Sequence, residues 1–329
     1  MLGDGTVNAN GVWSHGRIRD RLGELLGSLR SPPFSVLESP GMNHVPLLHS
    51  AATASVFHPS DFSEASEIAF AHALKIALMS RATLHMLHVS GESDLPWDDF
   101  PGVRDTLQRW GLIPADSPRS AVTSLGIEVR KVVRRSGNAV KASLSFLARH
   151  PADVVVLAVH QREGRARWFQ KSVAEPIARG SGQITLFVPH GVQGFVSRAT
   201  GAVSLRNILV PVTHKPSPQP AIDAAARFVR NLQLATGTIT VLHVGEGGGP
   251  PPVQCPSVPG WTWNRMNTTG DPVERILQVA SEIEADLIVM STDGPDGFLD
   301  GLRGTTSARV LNRAHCPVAS LPVGARLAS

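Results

Sequence analysis

The chain has 329 residues, 42% of them hydrophobic, which is enough to build packed cores for two ordinary domains. Its net charge of +4 is mildly basic for this length and permits anionic ligands without demanding nucleic acid. No apolar run approaches the length of a membrane span, and Cys255 and Cys316 indicate neither a disulfide framework nor a zinc site, so a reducing cytoplasm is expected.

Residues 1–50 fit no domain pattern, because Gly, Asn, Ser and Pro are frequent there. One basic amphipathic helix is predicted from Arg17 to Leu29. Such a helix binds a membrane surface or a partner, packs on its own domain, or belongs to a disordered segment. Translation beginning at Met42 is a further alternative. The segment lacks the long apolar core of a secretory signal.

From Thr53 the pattern predicts a strand, a turn, a helix and a second strand that closes at Val89. Asp61 and Glu64 have the spacing of a capping box at the start of this helix. Its buried stripe comprises Ala65, Ile68, Ala69, His72 and Ile76. The stretch from Ser90 to Ser124 is predicted to be a long loop with one helix, from Val103 to Trp110.

The rest of the first half continues the alternation of strands and helices. A strand is predicted around Ile127 to Val132 and a helix from Val140 to Ala148. Apolar runs then predict strands at Val154 to Leu157 and at Ile184 to Val188. A linker, residues 191–204, follows.

The second half repeats the order of elements with which the first half begins. It predicts a strand from Ile208 to Val212, a helix from Ala221 to Leu234 and a strand from Thr238 to Val244. The Gly/Pro-rich stretch from Gly245 to Pro259 is predicted to be irregular. A helix should start at Asp271, because Pro follows at the first helical position and Glu274 has capping-box spacing.

Sequence arithmetic supports two copies of one fold. Five positions of the first half lie 133 residues before their counterparts: Gly137, Asp153, Ala158, Ser172 and Pro189 before Gly270, Asp286, Ser291, Thr305 and Pro322. Near the start of each copy, Asp61 aligns with Thr213 at an offset of 152, and Val89 aligns with Val244 at an offset of 155. The sequence therefore predicts an internal repeat.

A loop rich in Gly and Asp follows the apolar strand Leu287 to Met290 and ends at Gly304-Thr305-Thr306, where a helical pattern begins. Backbone N–H groups at the start of a helix favour anions such as phosphate. The sequence therefore predicts a phosphate site at this turn.

This turn resembles the nucleotide-binding loop of the universal stress proteins, whose pattern is Gly, two residues, Gly, nine residues, Gly, then Ser or Thr. Ser291, Gly294, Gly304 and Thr305 fit every spacing, with Ser in place of the first Gly. Serine carries a Cβ, so the close approach of a ligand to the main chain is hindered but not excluded. The stretch from Thr53 to Val89 resembles the opening of the same family still more closely.

The resemblance implies the site residues. In the family, the Asp that ends the first strand, here Asp61, lies beside the bound nucleoside, and the Val that closes the second strand, here Val89, lines the adenine pocket. A helix cap is the alternative role for Asp61. The expected nucleotide site of the second half consists of Pro211, Thr213, Val244, Ser291, Gly294, Gly304, Thr305 and Thr306.

The two halves depart from the family pattern in complementary ways. The first half keeps Asp61 and Ser172, but Ala158, Gln161 and Lys171 replace the three glycines of the family pattern. It therefore lacks the phosphate cradle, that is, the small residues that leave main-chain N–H groups open to phosphate. The second half keeps most of the cradle, but Thr213 replaces the acid. Since Thr still hydrogen-bonds a ribose hydroxyl, the second half is the better candidate, with Asp61, Val89, Lys171 and Ser172 as weaker ones.

Other chemistry finds little support in the sequence. His85 and His88 are three residues apart on a strand, which places their side chains on opposite faces. The basic residues Arg162, Arg165 and Arg167 either hold an anion or form a solvated loop, and the latter is favoured. Asp293, Asp296 and Asp300 either hold Mg²⁺ through a nucleotide or form turns.

The sequence thus predicts two doubly wound, Rossmann-like α/β domains, residues 51–190 and 205–325, each a five-stranded parallel sheet with helices on both faces. The resemblance implies that their last strands pair within one chain and leaves homodimerisation open. The leading hypothesis is a non-enzymatic stress-response module that binds ATP or a related adenine nucleotide and signals through a protein partner. The alternatives are a slow Mg²⁺-dependent ATPase or phosphotransferase and a nucleotide-free scaffold.

Overall fold

The computed structural model describes residues 54–91, 100–159, 173–293 and 305–323. The strands within these ranges are β1 (Ser55–Pro59), β2 (Thr83–Ser90), β3 (Glu128–Arg135), β4 (Val154–Val159), β5 (Ile184–Pro189), β6 (Asn207–Val212), β7 (Gly237–Val244), β8 (Trp261–Thr268), β9 (Leu287–Thr292) and β10 (Val318–Pro322). The helices are α1 (Glu64–Ser80), α2 (Val103–Arg109), α3 (Ser120–Ser124), α4 (Ala139–Leu147), α5 (Ala174–Ser181), α6 (Gln219–Asn231), α7 (Pro272–Glu282) and α8 (Thr306–Leu311).

The strands form one sheet in the order β3-β2-β1-β4-β5-β10-β9-β6-β7-β8. Within each five-stranded half all the pairings are parallel, and the strand order of the second half mirrors that of the first. The halves meet at β5 and β10, which pair antiparallel with Ala319 opposite Leu186. The expected pairing of the last strands within one chain is therefore confirmed.

Helices cover both faces of the sheet, as predicted for doubly wound domains. Helices α1 and α6 bury their apolar residues on one face, and α4, α5, α7 and α8 do so on the other. The predicted stripe of α1 is confirmed, because each of its five residues is buried. None of the helices in the described ranges is both long and apolar enough to traverse a bilayer.

A carboxylate fixes the start of the first strand in each half. Asp153 Oδ2 accepts a hydrogen bond of 2.8 Å from the backbone N–H of Ser55. Asp286 Oδ2 likewise accepts one of 2.8 Å from the backbone N–H of Asn207. These two acids are 133 residues apart, which is the spacing of the internal repeat that the sequence predicts.

The segment predicted as a linker is packed onto the first half. The backbone N–H groups of Phe195 and Val196 donate to Nε2 of His72, at 3.1 and 3.3 Å. The other ring nitrogen of His72 lies 2.8 Å from the carbonyl oxygen of Ile68, which can only accept, so Nδ1 carries the proton. The Phe195 ring also contacts the ring of Phe228 on α6, and the segment therefore bridges both halves.

Three elements were missed by the sequence analysis: α3, α5 and β8. Helix α3 has only five residues, too few to show a helical period. Helix α5 contains Pro176 and Gly180, both of which weaken a helical signal. Strand β8 lies at an edge of the sheet and is largely exposed, so it carries few of the apolar residues that mark a strand.

Candidate functional site

The carboxyl ends of β6, β7 and β9 gather four of the candidate residues of the second half at one edge of the sheet. Pro211 is the penultimate residue of β6, and Thr213, which is exposed, directly follows that strand. Val244 closes β7, and Ser291 is the penultimate residue of β9. The ends of parallel strands are where doubly wound folds bind ligands, so this edge is the candidate site.

The hydroxyl of Ser291 is a buried polar group near the carboxyl end of β9. Its Oγ is buried and has no hydrogen-bond partner among the described residues. A buried hydroxyl without a partner costs free energy, about 1–3 kcal/mol. A hydroxyl or phosphate oxygen of a ligand would remove that cost.

Thr305 and Thr306 lie at the start of α8, on the same edge. Thr305 is the N-cap, and its Oγ1 accepts from the backbone N–H of Ala308 at 3.3 Å. The hydroxyl of Thr306 is exposed. Gly294, Gly304, Asp296 and Asp300 lie outside the described residues, and Asp293 is exposed just after β9. Within the described ranges, no three His, Cys, Asp or Glu side chains gather as metal ligands.

Two histidines beside Thr213 escaped the sequence analysis. His243 is buried, and its Nδ1 lies 3.3 Å from the carbonyl oxygen of Val212. His214 Nε2 lies 3.2 Å from the carbonyl oxygen of Gly249, and the two imidazole rings are 6.0 Å apart. The repeat carried the signal, because His243 occupies the position of His88 at the offset of 155 that relates Val244 to Val89.

The first half contains a cavity of about 130 Å³ at the equivalent edge. Asp61 and Val89 both line it, so the structure brings these two candidates together. Ala158, at the position of the first family glycine, lines it as well. Lys171 and Ser172, with Gln161 and the basic residues of that loop, lie outside the described residues.

The expected capping box of Asp61 is wrong. The N-cap of α1 is Ser63, whose Oγ accepts from the backbone N–H of Ser66 at 3.2 Å. Phe62 has φ of 61°, so it turns the chain between Asp61 and the helix. The carboxylate of Asp61 therefore accepts from the backbone N–H and the hydroxyl of Ser63, at 3.1 and 2.6 Å, instead of capping the helix itself.

A buried polar network lies behind this cavity. His58 Nδ1 is 3.0 Å from the carbonyl oxygen of Val156, and His58 Nε2 is 3.4 Å from Ser66 Oγ. Ser66 Oγ is in turn 3.1 Å from Ser60 Oγ, and both serines line the cavity. Burial lowers the pKa of His58 to about 4, against the opposing effect of the Val156 carbonyl. The ring is therefore neutral at pH 7.

The sequence model of the universal stress protein family matches residues 56–189 and 264–322, more than half of the chain. The chain belongs to the universal stress protein family. The universal stress protein MJ0531 of Methanocaldococcus jannaschii is 45% identical over 49 residues. That match spans 15% of this chain and 29% of the relative's length.

Solved universal stress proteins share the fold. A crystal structure of one from Archaeoglobus fulgidus is 16% identical, covers 82% of this chain and 96% of its own, and has a TM-score of 0.54. A universal stress protein solved in complex with cAMP is 23% identical and covers 42% of this chain and 98% of its own, at a TM-score of 0.30. At 16% identity, the likeness to the Archaeoglobus fulgidus protein concerns the fold alone.

Proposed function

We propose that this universal stress protein consists of two family domains in tandem and binds ATP or a related adenine nucleotide in its second half. The observation that carries the proposal is the buried hydroxyl of Ser291, which lacks a partner among the described residues. It lies at the edge where strand ends and the start of α8 converge. A ligand that brings its own polar atoms to this point would satisfy a hydroxyl that the described residues leave without a partner.

The neighbouring residues supply the other contacts that a nucleotide needs. The exposed hydroxyl of Thr213 is free to hydrogen-bond a ribose hydroxyl, and half-buried Val244 offers an apolar surface to a base. The spacing of Gly294, Gly304 and Thr305 matches the nucleotide-binding loop of the family, and small residues at such positions favour contacts between main-chain N–H groups and phosphate oxygens. The protein acts by binding, and a partner senses whether the site is occupied.

Nucleotide retention tests the proposal. The protein is purified, extracted with acid, and the extract is separated by chromatography to identify any co-purified adenine nucleotide. Thermal unfolding is then measured with rising ATP, and the Tm should increase with the logarithm of ATP concentration above Kd. No co-purified nucleotide and no Tm shift at millimolar ATP would contradict the proposal.

A glycine variant locates the phosphates. Gly304→Val adds a branched side chain at the predicted cradle and should abolish the ATP-dependent shift. Gly137→Val is the matched control, since a Cβ at Gly137 meets no atom within 4 Å and its φ is negative or extended. An ATP shift that persists in Gly304→Val would show that the phosphates bind elsewhere.

A further inference from the structure

Strand β8 lies at one end of the sheet, and within the described ranges no strand pairs with its outer side. The backbone N–H of Gly237 donates to the carbonyl oxygen of Gly260 at 3.3 Å, and that of Gly245 donates to the carbonyl oxygen of Thr268 at 3.0 Å. In a parallel ladder alternate residues bond to the neighbouring strand, so the even-numbered residues of β8 bond to β7. The residues whose N–H and C=O groups point outward are Trp263, Arg265 and Asn267.

This edge lacks the features that normally keep a sheet edge from pairing. Charged side chains, Pro and bulges protect edge strands. Strand β3, at the other end of the sheet, carries four cations in its eight residues: Arg130, Lys131, Arg134 and Arg135. Strand β8 is equally long, but its one charged residue is Arg265, and it contains no Pro. Its register with β7 is continuous, without a bulge, so β8 is the edge suited to accept another strand.

The sequence of β8 is self-complementary when two copies run antiparallel with Asn264 at the centre. In this register Trp263 lies opposite Arg265 of the partner subunit, and the same contact occurs a second time across the twofold axis. A guanidinium over an indole ring makes a favourable cation–π contact. A shift of the centre by one residue would place Arg265 opposite itself, and like charges directly opposite each other destabilise a strand pair.

The side chains of this contact are already ordered within one chain. Trp263 Nε1 donates to the carbonyl oxygen of Pro256 at 2.8 Å, and Arg265 Nη2 donates to that of Val253 at 3.2 Å. One loop therefore holds both side chains, which reduces the conformational entropy lost on pairing. Arg265 belongs to none of the ion pairs among the described residues, so its charge is not neutralised by a carboxylate.

We propose that two copies of the chain associate through β8, antiparallel and with the twofold axis at Asn264, so that the ten-stranded sheet continues across the dimer. The interface is isologous, and the outward N–H and C=O groups of each β8 bond to those of the other. A contact along one strand is smaller than the standard interface of about 1,600 Å², so we expect a Kd for dimerisation of about 10–100 µM. The proposal does not depend on nucleotide binding.

Cysteine cross-linking tests the register. The N–H and C=O groups of Asn264 face β7, so its two copies form a non-hydrogen-bonded pair with Cα atoms about 4.5 Å apart, a distance that suits a disulfide. In a Cys255→Ser background, Asn264→Cys should form a disulfide-linked dimer on mild oxidation, seen by non-reducing electrophoresis. Thr262→Cys is the matched control, because its two copies lie four residues apart along the strands, about 14 Å.

A mixed sample makes the register test more stringent. Thr262 lies opposite Met266 of the partner subunit in the proposed register. Thr262→Cys and Met266→Cys proteins should therefore cross-link when mixed, whereas neither should cross-link alone. Failure of Asn264→Cys to cross-link, or cross-linking of Thr262→Cys alone at the same rate, overturns the register.

A charge placed on the twofold axis tests the interface without a covalent bond. Asn264→Lys brings two ammonium groups directly opposite each other and should raise the Kd for dimerisation at least tenfold. Thr262→Lys is the matched control, since its ammonium group faces Met266 of the partner subunit, and its Kd should stay within about twofold of the wild type. Both positions are exposed, so the Tm measured at low protein concentration should be unchanged.

Sedimentation equilibrium of the full chain, from about 1 µM to about 1 mM, measures these constants. Dimerisation that Asn264→Lys weakens and Thr262→Lys does not would support the proposal. A wild-type protein that stays monomeric over the whole range overturns it and leaves the edge to a strand of another protein. A dimer that is unaffected by Asn264→Lys overturns it as well, because the two copies then meet at another surface.

Discussion

His88 holds the end of the first strand through the backbone of Ser60: its Nδ1 lies 2.8 Å from the Ser60 carbonyl oxygen. The second half repeats this contact between His243 and the carbonyl oxygen of Val212, at 3.3 Å. In each half the residue after that carbonyl is the site candidate, Asp61 or Thr213. The histidine on the second strand thus positions the turn that carries the candidate residue.

Replacing His243 should weaken ATP binding without removing it. His243→Ala frees the turn that carries Thr213, so we expect a threefold to tenfold rise in the Kd for ATP and a loss of about 1 kcal/mol of stability, the worth of one hydrogen bond. Isothermal titration measures the Kd. His88→Ala is the matched control, because it loosens the first half only. A larger effect of His88→Ala on ATP binding would contradict this assignment.

Acid should destabilise the protein through two buried histidines. Burial lowers the pKa of both His58 and His72 to about 4, below the ordinary value of 6.5. The unfolded chain therefore binds protons first, and stability is full above pH 6.5 and is lost as the pH falls toward 4. Each shift corresponds to about 3 kcal/mol lost by pH 4. Urea unfolding between pH 7 and 4 measures this loss.

The variant His72→Gln tests whether His72 accounts for half of this acid sensitivity. His72→Gln removes one titrating ring but keeps an acceptor for the N–H groups of Phe195 and Val196. The slope of unfolding free energy against pH near pH 5 should fall by about one proton, or about 1.4 kcal/mol per pH unit. An unchanged slope would show that His72 is not buried as a neutral ring.

Two glycines of the bridging segment, residues 191–204, have similar φ angles and test its packing. Gly194 has φ of 70°, and a Cβ there would lie 2.3 Å from His72 Nε2. Gly191 has φ of 79°, but a Cβ there meets nothing within 4 Å. Gly191→Ala should cost about 1 kcal/mol for the backbone alone, and Gly194→Ala at least about 2 kcal/mol more. Equal losses in urea unfolding would argue against the contact.

The two cysteines should differ in reactivity. Cys316 is buried, and burial raises the pKa of its thiol to about 12, so little thiolate forms at pH 8. Cys255 is partly exposed. Iodoacetamide should therefore label Cys255 in the native protein and both cysteines in urea, as read by mass spectrometry of peptides. Rapid native labelling of Cys316 would contradict its burial.

The sequence predicted those parts of the fold that are marked by continuous apolar runs or by clear capping residues. The runs Val154 to Leu157 and Leu287 to Met290 mark strands buried on both faces, and both are strands. The cap at Asp271 was also predictable, and its Oδ1 accepts from the backbone N–H of Val273 and Glu274, at 2.9 and 3.0 Å. Glu274 itself pairs with Arg313, a contact that local spacing does not reveal.

The site was predictable only in part, because its features depend on what lies across the sheet. The helix at Asp61 starts two residues later than the spacing indicated, since the left-handed turn at Phe62 intervenes. Ser143 looked like an ordinary helix residue until the fold placed its hydroxyl in a cavity. The bridging role of residues 191–204 could not be foreseen either, because it depends on His72, more than 100 residues earlier.

Matched bulky substitutions at the two strand ends test the central claim, that the second half binds the adenine nucleotide, most directly. Ser291→Leu fills the edge of the second half, and Ala158→Leu makes the equivalent change in the first half, 133 residues earlier. Titration with ATP should show at least a tenfold loss of affinity in Ser291→Leu and wild-type affinity in Ala158→Leu. Unchanged ATP binding in Ser291→Leu, or its loss in Ala158→Leu, would contradict the account.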